Sequence, residues 1–177
     1  QSKAGMPNND AMGLPGFFYT CPDYFNYETK TILRSGWHCL GRADEIPNPG
    51  DYLTLQLLNE PLLVDRADDG EIRVLSNVCR HRGNRVVEGS GNQRKFICRY
   101  HTWSYDTTGA LVSAPLMNNA PNFDRSQCGL PEFQSEIWNG FIFVNLDATA
   151  TPLAPRLTQL QGIIKNYHQE ERFLNFI

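Results

Sequence analysis

Through the middle of this chain apolar and polar residues alternate with a period of two, and helical spacing is confined to the two ends. Leu53, Leu55 and Leu57 interleave with Tyr52, Thr54 and Gln56, the repeat of a strand with one face turned inward. Trp37-His38-Cys39-Leu40 alternates in the same way, and IPNPGDY at 46–52 reads as a turn. PLLVDRADDGEIRVL predicts a hairpin that turns at Asp69-Gly70. Further short strands are expected over 95–99, 102–106 and 110–112, with Thr108-Gly109 turning between the last two. A second hairpin, over 133–138 and 141–146, turns at Asn139-Gly140. Many short strands with regular turns predict a mainly β chain built as an antiparallel sandwich.

The helical pattern appears first in CPDYFNYETKTILRS at 21–35. Thr20 is placed to cap it, Pro22 suits its first turn and Gly36 ends it. Phe25, Ile32 and Leu33 are its expected buried face. Thr151-Pro152 starts a final helix, in which Leu153, Leu157, Leu160, Ile164 and Tyr167 step at helical spacing and are expected to pack into a core. Residues 113–129 lack periodicity and read as a long surface loop. The expected division is a polar tail over 1–14, a helical arm over 15–36, a β domain over 37–150 and a helix over 151–177.

Composition narrows the function classes. The chain has 177 residues and a formal net charge of −3, so nothing favours nucleic acid or an anionic membrane as a partner. No apolar run approaches the roughly 18 residues of a membrane span, and the first residues lack the apolar core of a secretory signal. Five cysteines are too few, and odd in number, for a secreted disulfide scaffold. A reducing, cytoplasmic setting is expected, and there Cys beside His suggests a metal.

Two of the five cysteines and two of the four histidines fall in one short segment. Cys79-Arg80-His81 is followed by sixteen residues and then by Cys98-Arg99-Tyr100-His101. One strand leads into the first knuckle through Val74 and Leu75, and another into the second through Phe96 and Ile97. EGSGN at 88–92 lets the chain turn between them. Thiolates and imidazoles suit zinc or an iron–sulfur cluster. Each knuckle is mixed, however, and Cys-x-His is tighter than the spacing of the usual zinc finger. Apolar Val78 and Ile97 are expected to put the thiolates on the buried side and the imidazoles at the exposed tips.

C-x-H-R-G-N followed by C-R-Y-H-T-W-S-Y-D resembles the Rieske [2Fe-2S] motif, C-x-H and C-x-x-H. The resemblance implies that Cys79 and Cys98 hold one iron of the cluster and His81 and His101 the other. The respiratory type adds two cysteines where this chain has Asn84 and Tyr100, and a serine where it has Trp103. Their absence implies fewer hydrogen-bond donors and a potential at the low end of the Rieske range. CRYHTWSYD is instead similar to C-x-Y-H-x-W-x-Y-D of the large (α) subunit of Rieske non-heme iron oxygenases, in which Gly is common where Thr102 stands here. W-x-x-x-G-R at 37–42, I-P-x-P-G-D-Y at 46–52 and WNGFIFVNL at 138–146 extend the match over nearly the whole chain from Leu14 onward.

The resemblance implies an electron relay. A flavin or iron–sulfur reductase using NAD(P)H, or a ferredoxin, would supply electrons to the cluster. A mononuclear Fe(II) in a catalytic domain would receive them, within a homotrimer, for hydroxylation or demethylation of a small organic substrate. That iron needs two His and a carboxylate, and the remaining histidines, His38 and His168, lie in different elements. The chain is therefore expected to be an N-terminal Rieske domain cut from a longer oxygenase. A free-standing Rieske-type ferredoxin is the alternative, opposed by the N-terminal arm and the helix after Pro152. A zinc module is the third reading. Trp103, Tyr105 and Pro115 are expected to pack around the cluster, Gly83 to permit the turn of the first knuckle, and Arg80, Arg82 and Arg99 to be solvated or to face an acidic donor.

Overall fold

Leu62, Leu63 and Val64 form an uninterrupted apolar run, and all three are wholly buried. Their strand is covered on both faces, which explains why alternation lapses there. In the computed structural model residues 13–117 and 120–167 are described. The chain divides into two units, Gln1–Gly36 and Trp37–Ile177. The second holds ten strands: β1 (Trp37–Arg42), β2 (Asp51–Leu57), β3 (Glu60–Arg66), β4 (Ile72–Ser76), β5 (Ser90–Asn92), β6 (Lys95–Ile97), β7 (Ser104–Asp106), β8 (Leu111–Ser113), β9 (Gln134–Trp138) and β10 (Phe141–Asn145). They form three sheets, ordered β1-β10-β9, β4-β3-β2-β5 and β6-β7-β8, and every pairing is antiparallel.

Successive side chains of β3 enter opposite cores. Leu62 and Val64 join Val74, Ile142, Val144 and Leu146. Leu63 joins Leu75, Val86, Phe96, Trp103, Tyr105 and Leu111, and this second core also contains Cys79 and Cys98. Each buried aliphatic or aromatic side chain contributes about 1.5–3 kcal/mol by leaving water. The expected antiparallel sandwich is present, with the β2–β5 sheet as its shared middle layer.

The turns follow their residues. Asn139 and Gly140 both have positive φ, 49° and 79°, as a two-residue hairpin requires. Asp69 closes the β3–β4 hairpin by accepting from the Glu71 amide at 3.0 Å. At Gly109 a side chain would be strained by the φ of 81° and crowded, because a Cβ there would lie 3.2 Å from both methyls of Leu75 and 3.3 Å from the Leu130 carbonyl oxygen. Among the described residues no helix is long and apolar enough to cross a membrane.

Several expectations need correction. Residues 90–92, taken with the preceding Glu88-Gly89 as a turn, form β5, paired with β2 through Asp51–Asn92 and Leu53–Ser90. Small polar residues carry no alternation to betray a strand, but they let it lie close: a Cβ on Gly91 would sit 3.3 Å from the Tyr52 ring. The first helical pattern becomes α1 (Phe17–Thr20), α2 (Pro22–Glu28) and a π-helical turn at Thr29–Leu33. Cys21 is extended between α1 and α2, and Pro22 starts α2. Thr20 does not cap α2; its hydroxyl donates back to the Gly16 carbonyl, the local bond that competes with capping. Phe25 and Ile32, expected to be buried, are exposed. The last helix is a 3-10 turn at Ala154–Leu157 followed by α3 (Thr158–Ile164). Of its apolar stripe only Leu153 is buried, while Leu160 and Tyr167 are exposed. His38 lies half-buried in β1 opposite Val144. His168 and most of the expected tail lie outside the described residues.

Candidate metal centre

The two knuckles close by the same pair of hydrogen bonds. In the first, the Cys79 amide donates to the Asn84 carbonyl at 2.8 Å, and the Gly83 amide donates to the Cys79 carbonyl at 3.0 Å. In the second, the Cys98 amide donates to the Trp103 carbonyl at 2.9 Å, and the Thr102 amide to the Cys98 carbonyl at 2.9 Å. Both turns need a left-handed residue four positions after the cysteine. Gly83 supplies it at φ 72° and Thr102 at φ 59°. The loops are twins in backbone although their histidines differ in spacing, His81 at the second position after Cys79 and His101 at the third after Cys98.

A β-branched residue in that conformation is strained by about 1–3 kcal/mol, and Thr102 recovers part of it by donating its hydroxyl to the His101 carbonyl at 2.7 Å. Thr102→Gly should therefore stabilise the chain by about 1 kcal/mol net, after glycine's extra unfolded-state entropy of about 0.5–1 kcal/mol. A urea unfolding midpoint that rises checks this; a midpoint that falls would remove strain as the explanation.

Strands bring the four side chains together in a two-plus-two arrangement. Cys79 follows β4 and Cys98 follows β6, and both thiols are almost completely buried. The thiols are close enough to perturb one another. His81 and His101 are half-buried, with ring centroids 4.6 Å apart. Thiols inward and imidazoles outward is the arrangement the sequence predicts, but its stated cause needs correcting. Ile97 is exposed and Val78 only half-buried; the apolar wall behind the thiols is Leu63, Phe96, Trp103 and Tyr105.

Trp103 stacks on the His81 ring at 4.7 Å and 11° between planes, and Phe123 meets Trp103 edge-on at 5.7 Å. Pro115, expected to pack here, is exposed. Phe123 takes that place, and its segment 113–129 is no purely surface loop, since Ala114 is buried and Met117, Phe123 and Cys128 pack on the core. A lone aromatic in a non-periodic segment leaves no sequence signal of this. Arg80, Arg82 and Arg99 are exposed beside the knuckles.

Tyr105 was expected only as packing, yet its hydroxyl is 3.3 Å from the Cys79 sulfur and accepts from the Arg80 amide at 3.0 Å. Either group can donate across the contact with the thiol; toward a thiolate, the phenol donates. Burial pushes the Cys79 thiol up, and the Tyr105 hydrogen bond opposes it. Burial and the bond to Cys79 push the Tyr105 phenol up as well. A thiolate at this position gains from positive charge beside it, which a metal supplies. Nδ1 of His81 is buried without a hydrogen-bond partner among the described residues, a cost that a metal bond would remove. Among the described residues no three His, Cys, Asp or Glu side chains converge as a site for one ion. A binuclear cluster asks only two side chains of each metal, so the donor set fits it.

A family model described as Rieske [2Fe-2S] domain matches residues 36–128, more than half of the chain. A carnitine monooxygenase oxygenase subunit from Acinetobacter baumannii is 32% identical over 172 residues, covering 93% of this chain and 46% of its own length. The biphenyl 2,3-dioxygenase α subunit of Rhodococcus jostii is 39% identical over 137 residues, 76% of this chain and 30% of its own. The apo structure of a quaternary ammonium Rieske monooxygenase superposes with a TM-score of 0.82 at 31% identity, covering 90% of this chain and 46% of that one. The chain thus spans less than half the length of the relatives it matches.

Proposed function

The chain belongs to the Rieske [2Fe-2S] domain family, in the form carried by oxygenase α subunits, and from that premise we propose that it relays electrons within an oxygenase. The observation that carries the reading is the pair of twin loops holding two buried thiols and two half-buried imidazoles. Cys79 and Cys98 would hold one iron, and His81 and His101 the other. Such a cluster takes and gives one electron at a time, and imidazole ligation raises its potential above that of an all-cysteine centre.

The chain's own residues tune and shield it. The Tyr105 hydroxyl, aimed at Cys79, favours a more negative sulfur and so eases reduction. Trp103 and Phe123 keep water from one side of His81, while the half-buried imidazoles leave an outward edge for electron exchange. Arg80, Arg82 and Arg99 form no salt bridge among the described residues and lie where an acidic donor surface could approach. We assign the donor to an NAD(P)H-dependent flavin or iron–sulfur reductase, or a ferredoxin, and the acceptor to a mononuclear Fe(II) in a catalytic domain of a homotrimeric, cytoplasmic protein. All five cysteines are unpaired, as a reducing setting requires. Residues 15–36 would form an arm, 37–150 the cluster domain, and 151–177 the lead toward the catalytic domain. The reaction would be hydroxylation or demethylation of a small organic compound. A quaternary ammonium substrate is favoured, because relatives aligned over most of this chain act on carnitine.

Assay of the purified chain for iron, acid-labile sulfide and zinc tests the reading. Equal iron and sulfide, two of each per chain as the [2Fe-2S] family implies, with visible absorbance bleached by a one-electron reductant, is the expected result. A colourless protein with stoichiometric zinc and no sulfide would overturn it.

A further inference from the structure

Asp65 is fully buried, and neither of its carboxyl oxygens has a hydrogen-bond partner among the described residues. It lies two residues beyond Leu63 on β3, on the same face, so it enters the layer between the β2–β5 and β6–β8 sheets. Its neighbours in register are Tyr52 on β2 and Arg73 on β4. The Tyr52 ring packs edge-on against Phe96 of β6 at 5.5 Å, which fixes the layer. Arg73 is the cation nearest to hand, but its guanidinium is engaged by Asp69 through two bonds of 2.9 and 2.6 Å. The charges that act on Asp65 most strongly after Arg73 are negative: Glu132 before β9, Asp106 on β7 and Asp69 in the β3–β4 turn.

We propose that Asp65 is a proton-operated latch in the middle of the fold: neutral, it packs as a small polar wedge under the β6–β8 sheet, and its ionisation in alkaline medium loosens that layer. A carboxylate there would be stripped of water and bonded to nothing, with Arg73 drawn off by Asp69. A carboxylic acid avoids that penalty. Burial pushes its pKa up to about 8, against the pull of Arg73. The sign follows from proton counts. The folded pKa lies above the unfolded value of about 3.9, so between them the folded state holds the proton and the unfolded chain does not. Stability is then lost as pH rises from about 4 to about 8, by up to roughly tenfold in the folding equilibrium constant per pH unit, and changes no further from this group above that. The latch does not depend on which metal the knuckles hold.

Urea unfolding of the 177-residue chain from pH 5 to 9.5, as the native sequence and as Asp65→Asn, tests it. The amide keeps the shape and removes the titration. The expected result is that the variant's advantage in unfolding midpoint widens between pH 5 and pH 8 and then stays constant. Parallel curves, or a variant that loses stability faster than the native chain as pH rises, would overturn the latch. If the variant does not fold, the carboxyl carbon resonance of Asp65 in the native chain decides: a titration midpoint above 7 supports the latch, and one near the ordinary range of about 4 refutes it.

Discussion

Cys98→Ser should yield a chain without visible absorbance and without bound iron. Cys98 is buried at 1% exposure, behind a wall of Phe96, Trp103 and Tyr105. A serine hydroxyl there would have to ionise to replace a thiolate, and its pKa lies far above that of a thiol. The loss should also be a loss of stability, because the free energy of binding a metal centre to preorganised ligands is folding free energy. The control is Cys128→Ser. Cys128 is half-buried, with its thiol directed to the Asp124 carbonyl at 3.5 Å, and it stands outside both knuckles. It should keep the full complement of iron and sulfide. Iron and sulfide assays on both variants, with the visible spectrum, check the pair of outcomes. A Cys98→Ser chain that retained its iron would remove the second knuckle from the site.

Those two outcomes restate in experiment what the sequence spacing separates. That the thiols of Cys79 and Cys98 and the imidazoles of His81 and His101 come together in pairs was legible because the pattern is local: two residue types, tightly spaced, twice. The hairpins at Asp69-Gly70 and Asn139-Gly140 were legible for the same reason, since φ > 0 turns leave a residue signature. Features that depend on distant contacts were hidden. β5 is three residues of Ser, Gly and Asn, a composition that signals a turn until β2 is beside it. Phe123 and Ala114 reach the core from a stretch with no period. The apolar stripe of the last helix and the face of Phe25, Ile32 and Leu33 have the periodicity of buried faces, yet Phe25, Ile32, Leu160 and Tyr167 are exposed. Periodicity says that a face is apolar, not what covers it. Tyr105 is the clearest case at the site itself. Its alternation in β7 marks it as core, which it is, but only the fold places its hydroxyl against Cys79.

Trp103→Ala should lower the stability of the chain by about 3–5 kcal/mol, the range for removing a large buried aromatic. Trp103 is 3% exposed, and its neighbours cannot close the gap. One face of the indole is stacked on His81, an edge partner is Phe123, and its own carbonyl is tied to the Cys98 amide, so the backbone cannot move inward without breaking the second knuckle. Trp103→Phe keeps a ring in the same place and should recover more than half of the loss. Phe123→Ala should cost less, about 1–2 kcal/mol, because Phe123 is only half-buried and part of its surface already meets water. Urea unfolding of the three variants orders them. A Trp103→Ala loss below about 1 kcal/mol would mean that the loops stand without the indole, and that the stack on His81 follows from the fold rather than supporting it. The expected order places Trp103 as the residue that joins the two knuckles: it ends one by its carbonyl and covers the histidine of the other with its ring.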